Sequence, residues 1–183
     1  MSLVNMFIHK YKDNILFLET FGFCGIDPEA SLEEFFRLKN MKSANEIDVT
    51  KLPFNHFIGL KISNKSDYLL MLDNRSEYRN HLDTVHASAM FSLAEATSGH
   101  FLLNEFSELT DIVPVVRKVE IKYKKPTTGG VFSRAKFIET EKKEVLEALT
   151  ERGRAIIKVE VSLFDETDVQ IMQSVFEWFV AKT

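Results

Sequence analysis

The sequence predicts an α+β fold in which a predominantly antiparallel sheet packs against one apolar helix. Three observations carry that expectation. Alternating apolar and polar segments dominate the second half of the chain, and a helix of small and apolar residues precedes them. Most links between the strand segments are too short for parallel crossovers. At 183 residues and 45% hydrophobic content, the chain can bury one main domain with a smaller segment beside it. Sixteen phenylalanines point to an aromatic core or an apolar cavity.

The elements follow in order. Val4, Phe7, Ile8, Tyr11, Ile15 and Leu18 recur at helical spacing, which predicts an amphipathic helix over 3–21. Asp27-Pro28-Glu29 is a helix-start signal, and "EASLEEFFRLKNM" supplies a second helix with Leu32, Phe35, Phe36 and Leu38 on one side. Polar residues 43–50 read as a linker. We therefore divide the chain into a helical extension, 1–45, and a main domain, 46–183. In the main domain "HFIGLKI" and "DYLLMLD" read as two short strands joined by the turn "SNKSD". A helix is expected from about Ala87 to Leu103. "VVRKVEIKYKK" then alternates, with Val119, Ile121 and Tyr123 on one face and Glu120, Lys122 and Lys124 on the other. Gly129-Gly130 punctuates before the strand "VFSRAKFIE". A helix over roughly 141–152 ends at Gly153, and "AIIKVEVSLF" and "DVQIMQSVFEWFVAK" close the chain as strands. There is no internal repeat and no low-complexity segment.

Composition bounds the function. A net charge of −4 argues against general affinity for nucleic acid or an acidic membrane surface. No apolar run approaches the length of a membrane span, and the first residues lack the pattern of a secretory signal. The single cysteine, Cys24, excludes an internal disulfide framework and suits a reducing, cytoplasmic setting. No cluster of metal-ligand type is present, so no metal and no separate cofactor are expected.

The chemistry concentrates in "YRNHLDTVHASAMFSLAEATSG", residues 78–99. A polar turn with two histidines leads into a helix that carries one acid, Glu95. Buried charged and unpaired, such an acid costs several kcal/mol. The helix N-terminus near His86-Ala87-Ser88 offers unpaired amides and a partial positive charge, a natural seat for an oxyanion. Glu95 lies eight residues beyond Ala87, about 12 Å along the same helix. One carbonyl cannot touch both groups of a single helix. If both act on one substrate, two antiparallel copies must face each other, and the site requires a dimer.

The strand pair, the turn "NHLDTVHA", a small-residue helix with an acid nine positions after the histidine, and the long strands that follow resemble the hotdog fold. The likeness is to PaaI-like acyl-CoA thioesterases and a related, less characterised hotdog branch, and it covers roughly residues 52–181. Those proteins carry an N/Q-x-x-G-x-x-H-G-G…E/D pattern. The resemblance implies that Asn80 orients the attacking water or the thioester, and that His86 sits at the helix entrance near the thioester. It also implies that the Ala87 amide polarises the carbonyl, and that Glu95 from a second copy activates water or attacks directly. The implied substrate is an acyl-CoA, with coenzyme A as part of the substrate, and the implied assembly is a homodimer or a dimer of dimers. Two positions depart from the pattern: Asp83 stands at the turn glycine, and Ala87-Ser88 stand at the glycine pair.

Bland readings stand beside these. Glu95 could pair with a lysine or a backbone amide. Asn80 could serve its own turn, and His86 could only stabilise the helix entry. Thr97 and Ser98 are near enough to support Glu95, although helix hydroxyls are more often bonded to their own backbone. Arg117, Lys118, Lys122, Lys124 and Lys125, with Arg134 and Lys136, read either as a solvated sheet face or as phosphate contacts. Two other functions remain open. One is a hotdog dehydratase using His81, fourteen residues before Glu95. The other is a non-catalytic module that binds an acyl-CoA or mediates assembly.

Overall fold

A computed structural model of the protein describes residues 47–182. The expected helices over 3–21 and 29–41, and Cys24, lie outside the described residues. Within them the chain forms α1 (Pro53–Phe57), β1 (Lys61–Ile62), β2 (Leu70–Leu72), α2 (Ala87–Glu105), β3 (Ile112–Tyr123), β4 (Val131–Phe137), α3 (Lys142–Arg152), β5 (Arg154–Phe164) and β6 (Gln170–Lys182). The strands make one antiparallel sheet in the order β1-β2-β4-β5-β6-β3. The sheet packs its inner face on α2. Leu93, Ala94 and Leu102 of the helix meet Val159, Val161, Leu163, Ile171, Met172 and Phe176 in one buried cluster. Apolar residues alternate along β5 and β6 because every second side chain points at that helix. The phenylalanines contribute aromatic pairs, Phe91 with Phe176 at 6.1 Å and Phe101 with Phe137 at 4.8 Å between centroids.

Three expectations change. "HFIGLKI" is not one strand. Pro53 starts a short helix that runs through His56 and Phe57, Gly59 turns the chain at a φ of +67°, and only Lys61–Ile62 pair with β2. Of the expected linker 43–50, the described part is not simply a linker: Val49 is buried in the core, and the buried Asn55 donates to its carbonyl at 2.9 Å. The alternation of β3 is clean only after a bulge between Val116 and Lys118. Before it Pro114 and Val116 oppose the buried Val180 and Trp178; after it Val119, Ile121 and Tyr123 take over that face. Helix α3 ends at Gly153 as expected, with a φ of +66° that only glycine adopts without strain.

Strand order is decided in three dimensions. Only the residues between Tyr123 and Val131 carry the chain from β3, at one edge, past β5 and β6 to β4. This crossing segment runs over the end of the sheet beside the start of α2. There the Thr127 carbonyl accepts the Val85 amide at 2.8 Å.

Candidate functional site

The site grows from a closed turn. Arg79 and Val85 bridge antiparallel, so residues 80–84 form a loop between them. Asn80 organises it. Its Oδ1 accepts the amides of Leu82 at 2.9 Å and Thr84 at 3.2 Å, and its Nδ2 donates to Thr84 Oγ1 at 2.9 Å. This is local side-chain capping of a turn, and the second Nδ2 hydrogen has no acceptor among the described residues. Asp83 sits at the turn with a φ of +57°. Where the resemblance calls for glycine, the backbone of this chain is left-handed and held by a residue type that tolerates it.

His86 is the N-cap of α2: its backbone is extended, and its Nδ1 accepts the Ser88 amide at 3.0 Å. An accepting Nδ1 fixes the proton of the neutral ring on Nε2. The His86 amide donates to Tyr78 O at 2.7 Å, which ties the cap to the short 3-10 turn (Ser76–Tyr78) that precedes the loop. At Ala87, the first helical residue, the amide has no acceptor among the described residues, and Ala87 is exposed. Tyr123 reaches the same turn from the end of β3 and donates its hydroxyl to Ala87 O at 3.3 Å. Burial pushes its phenol up. Alternation puts Tyr123 on one face of the sheet, but nothing local signals that β3 ends beside the start of α2.

Glu95 occupies the least buried face of α2, in a row with Ser88, Ser92 and Gly99. It is half-buried, and among the described residues its carboxylate has no cation and no hydrogen-bond donor. Burial alone pushes its carboxyl above the ordinary carboxylate value. The bland reading, a lysine or backbone partner, finds no such partner among the described residues. The neighbouring hydroxyls behave otherwise. Thr97 Oγ1 donates to Leu93 O at 2.6 Å and meets Ser133 Oγ at 2.7 Å, while Ser98 Oγ donates to Glu95 O at 2.7 Å and accepts Trp178 Nε1 at 3.2 Å. They join α2 to its own turn and to the sheet, and neither reaches the Glu95 carboxylate.

The structure thus brings Asn80, His86 and Ala87 together at one end of α2 and leaves Glu95 about two turns away. His81 is exposed in the turn. The basic residues of the outer sheet face mostly hold carboxylates: Arg117 with Glu177 at 3.0 Å, Lys118 with Glu120 at 2.6 Å, Lys136 with Glu160 at 3.1 Å and Arg134 with Asp168 at 3.4 Å. Among the described residues no group of His, Cys, Asp and Glu is placed to hold a metal ion. No helix among them is long and apolar enough to cross a membrane.

Comparison with known proteins places this geometry. A family model described as a domain of unknown function, DUF4442, matches residues 50–180. The chain belongs to the DUF4442 family. A comparison of this DUF4442 chain with curated proteins finds no match. Among solved structures it is similar to a Pseudomonas aeruginosa protein of unknown function described as a probable thioesterase, at 22% identity and a TM-score of 0.64. That match covers 76% of this chain and 94% of the other. E. coli PaaI, from the phenylacetic acid degradation operon, matches at 11% identity and a TM-score of 0.51, over 67% of this chain and 84% of its own. A Bacillus halodurans protein solved with CoA matches at 17% identity and a TM-score of 0.50, over 61% and 69%. The fold of this DUF4442 protein is the hotdog fold, with the sheet wrapped on α2.

Proposed function

We propose that this protein hydrolyses acyl-CoA thioesters at sites shared between two copies of the chain. The observation that carries the reading is Glu95. It is a half-buried carboxylate with a raised pKa and no partner among the described residues, on the helix whose first amide is also unclaimed. The two groups are about 12 Å apart on one helix, too far to act on one carbonyl. Antiparallel helices of two copies would bring each Glu95 to the other's Ala87. The position of β3 supports such pairing: among the described residues it lies at one edge of the sheet and pairs with β6, and an edge is where a second copy can add a strand. A neighbour described as a probable thioesterase and another solved with CoA support the substrate class.

In this scheme Glu95 takes a proton from water, and the hydroxide attacks the thioester carbonyl. The developing oxyanion is held by the Ala87 amide of the second copy, with the helix N-terminus behind it. Asn80 offers its free Nδ2 hydrogen to the same carbonyl, and the Nε2–H of His86 borders the entrance. The tetrahedral intermediate collapses with cleavage of the C–S bond. The proton held by Glu95 passes to the departing thiolate, giving a carboxylic acid and coenzyme A. A cytoplasmic setting and assembly as a dimer, or a dimer of dimers, complete the proposal. The alternative of an acyl-CoA-binding module draws on one observation, that most of Asn80's hydrogen-bonding capacity serves its own turn.

Mixed dimers test the shared site. Ala87→Pro removes the amide donor at a position that suits proline, because Ala87 is the first helical residue and His86 already has an extended φ of −64° and ψ of 140°. Each variant alone should lose thiol release from acyl-CoAs, about 10²–10³-fold for the missing donor. A mixed dimer of Ala87→Pro and Glu95→Gln chains has one intact site, so it should recover about half of wild-type activity. No recovery would overturn the shared site. CoA-ester binding without thiol release would leave a binding module, and dehydration without thiol release, lost in His81→Ala, would leave a dehydratase.

A further inference from the structure

Arg79 precedes Asn80 and takes no part in the chemistry proposed for the site. Its guanidinium spans three segments: Nη1 donates to Asp83 O at 2.8 Å, and Nη2 donates to Asn74 Oδ1 at 2.6 Å and to Thr128 O. All three acceptors are uncharged oxygens. Asp83 is the left-handed residue of the Asn80 turn, so its carbonyl is aimed by a backbone conformation that needs support. Thr128 belongs to the segment that crosses from β3 to β4, where Thr127 O receives the Val85 amide at 2.8 Å. The crossing segment therefore grips the turn at both shoulders, through the Arg79 side chain and through the Val85 backbone. Ala87 lies two residues beyond Val85.

The far side of the crossing segment is anchored as well. The Gly130 amide donates to Glu166 Oε1 at 2.9 Å, and a Cβ on Gly129 would stand 2.9 Å from the Glu166 carboxyl carbon. The turn between β5 and β6 thus steadies the segment that Arg79 holds.

We propose that Arg79 is a positioning residue for the candidate site, a guanidinium staple that sets where the Asn80 side chain and the Ala87 amide point. The inference rests on the thioesterase reading for its consequence in turnover, and on the hydrogen bonds of the guanidinium for its geometry. The planar fork is the reason for arginine here. One guanidinium spans acceptors on separate segments, whereas a lysine ammonium is a point donor with a different reach.

Two measurements test it in the full-length protein. The first is thiol release by wild type, Arg79→Lys and Arg79→Ala, with and without millimolar guanidinium. Both variants should lose roughly 10–100-fold in kcat with KM within about twofold, because a misplaced group costs rate more than binding. Guanidinium should restore part of the loss in Arg79→Ala alone. The second measurement is independent of turnover: amide exchange and chemical shifts by NMR. In both variants the Val85 amide should exchange at least tenfold faster and the Ala87 resonance should move, while the core amides of Leu93 and Val161 stay as in wild type. Wild-type kcat in Arg79→Lys, or unchanged Val85 and Ala87 amides in a folded variant, would overturn the proposal. If wild type releases no thiol, the hydrolase reading fails and the amide measurements still decide the role of Arg79. If Arg79→Ala does not fold, Arg79→Lys carries both measurements.

Discussion

Glu95 and Thr97 stand two residues apart on one helix, and their surroundings could hardly differ more. Thr97 is fully buried, yet its hydroxyl meets Leu93 O and Ser133 Oγ, and Ser133 in turn meets the backbone of Leu70. Ser98 is equally well placed between Glu95 O and Trp178. Glu95 is less buried than either and has no partner among the described residues for its carboxylate. One chain completes every polar contact that fastens α2 to the sheet, but not the one on the helix's open face. Structural polar groups in an apolar setting come with partners, because an unmet one costs stability. A half-buried carboxylate with a raised pKa and no partner among the described residues is a functional-site candidate.

Four outcomes put that contrast at risk. The largest concerns Glu95 itself: Glu95→Gln should reduce thiol release by about 10²–10⁴-fold, the usual worth of a general base, with acyl-CoA binding retained. Activity unchanged by the substitution would end the catalytic assignment. Next, Thr97→Val and Ser133→Ala should each destabilise the fold by about 1–3 kcal/mol in urea titrations, since each leaves a buried partner unmet. Their turnover under native conditions should stay near wild type, the reverse of Glu95→Gln.

The third outcome is a pH signature. Burial raises the Glu95 carboxyl, so the folded state holds that proton more tightly than the unfolded chain. The stabilisation from the neutral acid is full below the ordinary value of 4.5 and is lost as pH rises through the folded value. Where Glu95 is ionised in the folded state it is a cost, so Glu95→Gln should raise Tm at high pH, a gain that fades as pH falls. Turnover of the wild type should run the other way, rising with pH as Glu95 ionises. A Tm difference that grows on acidification would contradict the cause assigned to the shift. The smallest effect is expected at Asp83. Relieving its left-handed backbone, Asp83→Gly should stabilise by up to about 1 kcal/mol, and Asp83→Ala should destabilise by a similar amount, in the same urea titrations.

Much of the fold is legible in the amino-acid sequence. The alternation in 155–164 and 170–182 announces two half-buried strands, because side chains of a strand on a helix must alternate. The small-residue helix and its start at Ala87 are readable, as is the stop at Gly153. Local chemistry fails where distance along the chain takes over. "HFIGLKI" has strand composition, but Pro53 and the left-handed Gly59 break it into a helix, a turn and two paired residues. Arg79 carries no local signal of its role, because the acceptor that ties it to the crossing segment, Thr128 O, lies 49 residues further along the chain. Alternation assigns Tyr123 to a sheet face, and only the crossing of 124–130 over the sheet end carries its hydroxyl to Ala87.

The class of fold, the helix that carries the acid, and the spacing of Asn80, His86, Ala87 and Glu95 are all present in the bare sequence. Those are matters of period and local hydrogen bonding, which neighbouring residues set. Only the folded chain determines that Asn80 serves its own turn, that the sheet satisfies Thr97 and Ser98, and that Glu95 is left open. Partners for buried polar groups come from strands far away in the chain. Which carboxylate finds one is therefore written in the strand order, not in the stretch that contains it.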